Sequence, residues 1–110
     1  MTISYNWIDG IWIGTGSSGY NWDIRLEADT SQNRYTLEYP SLDGKSQLIF
    51  LDSHKQGEIT FREKMLNGLN FSNNDIIIFN MVHNNKLTFS AYHQGETNCI
   101  GSGVLTKIIE

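Results

Sequence analysis

The sequence predicts an all-β protein, an eight-stranded antiparallel up-and-down barrel. Apolar and polar residues alternate in short runs along most of the chain. Glycine and asparagine interrupt these runs at short, even intervals, and no stretch has the spacing of a long helix. This succession is typical of one hairpin following another. Closing such a sheet into a barrel removes its exposed edges.

The second strand shows the alternation most clearly. Trp22, Ile24 and Leu26 share one face, while Asp23 and Arg25 share the other, as expected for a strand with one dry side. By the same criterion we place the eight strands at 10–16, 20–29, 34–39, 46–51, 58–66, 75–82, 86–92 and 99–109. The Asp43-Gly44 pair predicts a turn before the fourth strand.

Length and composition indicate one globular domain. The 110 residues are 39% hydrophobic and 18% charged, and the net charge is −4. We treat 1–110 as a single domain in which residues 1–9 form either an arm or an edge strand. The acidic balance and the lack of a basic patch argue against nucleic-acid binding. With no signal peptide and no run of about 20 apolar residues, we expect a cytoplasmic protein without membrane contact.

Glu63 is the polar residue most indicative of a site. It falls in phase with Phe61 in the fifth strand, so a regular strand directs it into the barrel. A carboxylate there needs hydrogen-bond donors or an altered pKa. The hydroxyls of Tyr35 and Tyr39 are candidate donors. Two alternatives stay open: a purely structural hydrogen-bond centre, or a bulge that turns Glu63 outward.

The residues expected to contact a ligand are those whose position in the alternation points them into the barrel. They are Glu63, Tyr35, Tyr39, Trp22, Phe61 and Phe89. Trp12 is expected to pack across one end of the barrel, with Trp7 over an end as well. His54, His83 and His93 lie in or beside turns without metal-ligand spacing, so we predict no metal and no cofactor. The single cysteine, Cys99, is expected to be an unreactive strand residue.

A set of motifs resembles the calycin superfamily, which includes lipocalins and avidins. The set is Gly10-x-Trp12, Tyr39-Pro-Ser-Leu42, Leu48, Phe61-x-Glu63, Gly68, Leu87-x-Phe89 and Gly103-x-Leu105-x-Lys107. The resemblance implies a small bacterial barrel domain of this type. It also implies a cysteine pair, but here Asp43 and residues 70–74 stand at those places, which agrees with a reducing compartment. Strands five to eight lack the tryptophans that would cover biotin, so biotin binding is not expected.

These observations favour a non-enzymatic binding module for a small apolar or amphipathic ligand. The alternative is a packed barrel that acts as a protein-interaction or protease-inhibitor domain through loops 67–74 or 93–98. The volume of the lumen distinguishes the two, because rings such as Trp12, Phe61 and Phe89 would leave no room for a ligand. An enzyme using Glu63 as acid or base lacks an assignable second group. The sequence leaves the oligomeric state open.

Overall fold

Eight antiparallel strands form one closed barrel in the computed structural model, which describes residues 6–19, 21–53, 55–67 and 74–109. Each strand pairs with its neighbours in the chain, and the last pairs with the first. The predicted fold class is therefore confirmed. The strands are β1 (Gly10–Ser17), β2 (Asn21–Asp29), β3 (Arg34–Tyr39), β4 (Gly44–Asp52), β5 (Glu58–Asn67), β6 (Ile76–His83), β7 (Lys86–Tyr92) and β8 (Cys99–Ile109).

The strand bounds follow the sequence pattern closely, and the largest difference is at the start of β4. Pro40–Leu42 form a 3-10 helix that ends at Asp43, whose φ of 52° is left-handed. Gly44 already pairs with Tyr39 in the sheet, so the predicted Asp43-Gly44 turn lies one residue earlier. Aspartate tolerates this conformation better than most residues. Within the described residues, no helix has the length and apolar character needed to cross a membrane.

The two ends of the barrel differ. We call the end with the β1–β2, β3–β4, β5–β6 and β7–β8 connections the mouth, and the opposite end the floor. At the floor, Asn6–Ile8 form a 3-10 helix, so this part of the segment predicted as an arm or edge strand is helical. The indole of Trp12 donates to the carbonyl of Ile8 at 2.8 Å, and both residues are fully buried. Residues 1–5 lie outside the described part.

Aromatic rings fill the middle of the barrel. Phe61, Phe79 and Phe89 form a continuous row, with centroid distances of 5.8 and 6.0 Å between neighbouring rings. The ring centroids of Tyr35 and Phe61 are 4.8 Å apart. Those of Trp22 and Phe89 are 5.9 Å apart, with the two ring planes nearly perpendicular to each other. Aromatic pairs prefer such tilted and edge-to-face geometries. A ligand in this middle layer would have to displace the rings.

Trp22 depends on a glycine in the neighbouring strand. Gly16 pairs with Trp22 across β1 and β2, and a Cβ atom at Gly16 would lie 2.0 Å from the indole ring. No side chain larger than hydrogen therefore fits at this position while the indole stays in place.

Replacing Gly16 with alanine should destabilise the barrel. Forcing the indole to move costs about 1 to 3 kcal/mol, the range for overpacked cores. Urea unfolding followed by circular dichroism measures this cost, and Ser17→Ala, at the exposed next position, is the control. Equal free energies of unfolding for the two variants would contradict the packing described here.

Candidate functional site

Glu63 lies inside the barrel near the mouth, and only 4% of it is exposed. Its position follows from regular pairing with Leu48, since the irregularities in the β4–β5 ladder fall at Lys45/Ser46 and Phe50/Asp52. The prediction that Glu63 points into the barrel is confirmed, and the alternative prediction, a bulge that turns Glu63 outward, is wrong. The site thus begins with a carboxylate in a largely apolar interior.

Two hydroxyls hold one oxygen of this carboxylate. Tyr39 donates to Glu63 Oε2 at 2.6 Å, and Ser46 donates to the same atom at 2.8 Å. Among the described residues, no hydrogen bond reaches Oε1. Of the two tyrosines considered as donors, Tyr39 is the one bonded to Glu63, whereas Tyr35 packs against Phe61. Ser46 was not predicted, although its phase with Leu48 places it on the inner side of β4.

Burial raises the pKa of Glu63 because an ionised carboxylate loses its hydration inside the barrel. The hydrogen bonds from Tyr39 and Ser46 oppose this rise, while the nearby negative charge of Asp75 adds to it. The pKa of Tyr39 is raised well above its ordinary value, first by burial and then by the charge of Glu63. Tyr39 therefore remains a protonated donor over the physiological pH range.

Asp75 and His93 form a second polar pair at the mouth. His93 Nδ1 lies 3.0 Å from Asp75 Oδ1, and the hydrogen bond to Asp75 raises the pKa of His93. The backbone connects this pair to Glu63, because the amide of Glu63 donates to the carbonyl of Asp75 at 2.8 Å. Asp75 is mostly buried, while 45% of the His93 side chain is exposed. Asp75 was not predicted as a site residue, although its phase with Ile77 and Phe79 places it on the inner side of the barrel.

Trp22 forms the apolar part of the site. Its ring meets Tyr39 edge-on at a centroid distance of 5.5 Å, and its indole donates to Ser18 Oγ at 3.1 Å. The structure thus brings together Trp22, Tyr39 and Glu63 from the predicted set. Phe61 and Phe89 lie deeper, in the row of rings that fills the middle.

A separate groove of about 490 Å³ opens on the outside, near the floor. The three carboxylates that line it already have partners. Asp9 accepts from the amide and hydroxyl of Thr30, Asp29 accepts from Ser31, and Glu27 pairs with Arg25. We therefore regard this groove as structural.

Metal-binding side chains do not converge in the described residues, where no group of three His, Cys, Asp or Glu could hold an ion. His54 and residues 68–73 lie outside the described part, and with them Gly68 and most of the 67–74 loop that was expected to contact a partner. Cys99 is exposed, and its thiol contacts the carbonyl of Gly101 at 3.1 Å.

Comparisons with protein-family models, curated proteins and solved structures found no match for this chain. The closed eight-stranded antiparallel barrel is consistent with a calycin-like fold.

Replacing Glu63 with glutamine should alter stability in a pH-dependent way. Because the folded pKa of Glu63 is raised, its contribution to stability is fully present below about pH 4.3, its ordinary value. That contribution is lost as pH rises through the folded pKa. Relative to wild type, Glu63→Gln should therefore become progressively more stable as pH rises from the ordinary pKa of a glutamate to the raised pKa of Glu63.

Urea unfolding at a series of pH values measures this difference. Glu96→Gln removes an exposed carboxylate from the loop between β7 and β8 and serves as the control. If the free energy of unfolding of Glu63→Gln minus that of wild type stays constant or falls as pH rises, the raised pKa of Glu63 is contradicted.

Proposed function

We propose that this chain is a calycin-like, non-enzymatic binding module that takes a small amphipathic ligand at the mouth of the barrel. Burial of the Glu63 carboxylate, at 4% exposure, is the observation that carries the proposal. Removing a carboxylate from water is costly, and an apolar residue would satisfy packing without that cost. A ligand bearing an N–H or ammonium group would offset this cost by donating to Glu63 Oε1.

The filled middle of the barrel supports a site at the mouth. The row of Phe61, Phe79 and Phe89 fills the middle, so a ligand would have to enter the layer above it, where Trp22 is 9% exposed and Tyr39 is 4% exposed. The ligand's apolar part would lie against these two rings. Its polar head would point toward Glu63.

Binding fits the chemistry of these groups better than catalysis. Tyr39 and Ser46 donate to a single oxygen of Glu63, and this arrangement orients the carboxylate. The raised pKa of Tyr39 disfavours its use as a base. Glu63 would therefore act as a fixed acceptor in the proposed site.

The filled lumen also supports the second candidate, a protein-interaction or protease-inhibitor domain that acts through its loops. Residues 94–98, between β7 and β8, are exposed and lie at the mouth. A partner protein could contact this loop without entering the barrel.

Titration with n-hexylammonium tests the proposed ligand chemistry, and hexanoate provides an anion with a similar apolar tail. We expect weak binding of the ammonium alone, seen as NMR shifts of the Trp22 indole N–H and of residues around Glu63. Glu63→Gln should remove the shifts, while Glu96→Gln, which makes the same charge change on an exposed loop, should keep them.

Equal shifts with the two ions, or shifts that survive in Glu63→Gln, would contradict the proposed role of Glu63. If neither ion shifts the mouth residues, the small-ligand proposal fails in favour of the loop-based candidate.

A further inference from the structure

The two oxygens of the Glu63 carboxyl group have different surroundings. Oε2 accepts from the hydroxyls of Tyr39 at 2.6 Å and Ser46 at 2.8 Å, whereas no hydrogen bond from a described residue reaches Oε1. Each carboxylate oxygen has lone pairs that can accept hydrogen bonds. Oε1 is therefore the atom of this group that keeps its hydrogen-bonding capacity for a ligand.

Both hydroxyls donate to Oε2 rather than accept from it. Ser46 Oγ lies 2.8 Å from Glu63 Oε2 but 3.4 Å from the carbonyl oxygen of Leu37. Only the shorter distance is typical of an O–H···O hydrogen bond, so the hydroxyl hydrogen of Ser46 points at Glu63. Burial and the charge of Glu63 raise the pKa of Tyr39 well above its ordinary value, so Tyr39 also keeps its hydrogen.

This geometry determines which oxygen takes the proton when Glu63 is neutral. A proton on Oε2 would meet the two hydroxyl hydrogens that already point at that atom, and at least one of them would have to turn away. A proton on Oε1 keeps both hydrogen bonds, because the carbonyl oxygen of a carboxylic acid still accepts. Protonation of Glu63 therefore changes Oε1 from an acceptor to a donor.

Burial favours the protonated form of Glu63 more than solvent would. Loss of hydration raises the pKa of Glu63, and the charge of Asp75 adds to this rise. Among the described residues, the titratable groups around Glu63 are Tyr39 on β3 and Asp75 before β6, with His93 and Glu96 beyond Asp75. His93 is the group that titrates nearest neutral pH, so its effect must be separated from that of Glu63.

We propose that Glu63 is a specificity switch: its ionised form accepts from an ammonium ligand, and its protonated form donates from Oε1 to a neutral ligand with a carbonyl oxygen. The inference rests on the proposed binding site at the mouth and adds a second ligand class to that site. In both cases the apolar tail of the ligand lies against Trp22 and Tyr39.

Two probes with the same hexyl tail test the switch. n-Hexylammonium donates hydrogen bonds and keeps its charge up to about pH 10, as a lysine side chain does. 2-Octanone can only accept, and it does not titrate. Over that range, any pH dependence in the binding of either probe originates in the protein.

NMR titration of wild type with each probe, on both sides of the measured pKa of Glu63, gives the two affinities. Below the pKa, the affinity for n-hexylammonium should fall by about tenfold for each pH unit, because the ionised fraction falls by that factor. Above the pKa, the affinity for 2-octanone should fall by about tenfold for each unit as the protonated form is lost.

Glu63→Gln keeps the site in its donor form. The amide oxygen takes the place of Oε2, at which the two hydroxyls point, and the NH2 group takes the place of Oε1. This variant should bind 2-octanone equally at every pH and should not bind n-hexylammonium. His93→Gln removes the neighbouring titration and should keep both pH dependences of wild type.

Circular dichroism establishes that each protein is folded at each pH, and the wild-type curves alone test the switch if Glu63→Gln does not fold. The switch is overturned, with the proposed site intact, if Glu63-dependent binding of n-hexylammonium occurs without binding of 2-octanone at low pH. It is also overturned if wild type binds 2-octanone equally at every pH, if folded Glu63→Gln does not bind 2-octanone, or if His93→Gln abolishes the pH dependence. If neither probe binds at any pH, the proposed site fails together with the switch.

Discussion

Pairing of β8 with β1 is the constraint on which the rest of the structure depends, because closure gives every residue an inside or an outside position. The two strands approach very closely. A Cβ atom at Gly103 would lie 2.3 Å from the carbonyl oxygen of Thr15, so glycine is required there. Once the sheet is closed, strand alternation alone sends Glu63 inward and Val104 outward.

Closure also makes the interior too narrow to combine a full core with a deep ligand cavity. An eight-stranded barrel is just wide enough for its own side chains or for one small ligand. Here the row of phenylalanines occupies the middle, and the indole of Trp12 closes the floor. Polar chemistry is thereby confined to the mouth, where burial and neighbouring hydroxyls act together on Glu63.

The sequence predicted the architecture well because alternation and turn residues are local signals. β3, β7 and β8 have the predicted bounds, and the phase of Glu63 was read correctly. The choice between Tyr35 and Tyr39 could not be made, since it depends on strand stagger around the barrel. The role of Ser46 and the filling of the lumen depend on distances and volumes across several strands. Alternation places Asp75 on the inner side with Ile77 and Phe79, but its contact with His93, which follows the end of β7, depends on how the connections meet at the mouth.

The state of the Glu63 carboxyl group tests the central claim most directly. Carbon-detected NMR titration of this group should give a pKa above the ordinary value of about 4.3. In Tyr39→Phe the pKa should rise further, because the lost hydrogen bond stabilised the ionised form. Tyr92→Phe, on the outer side of β7, should leave it unchanged. An ordinary pKa that is insensitive to Tyr39→Phe would contradict the account of a buried carboxylate held at the mouth.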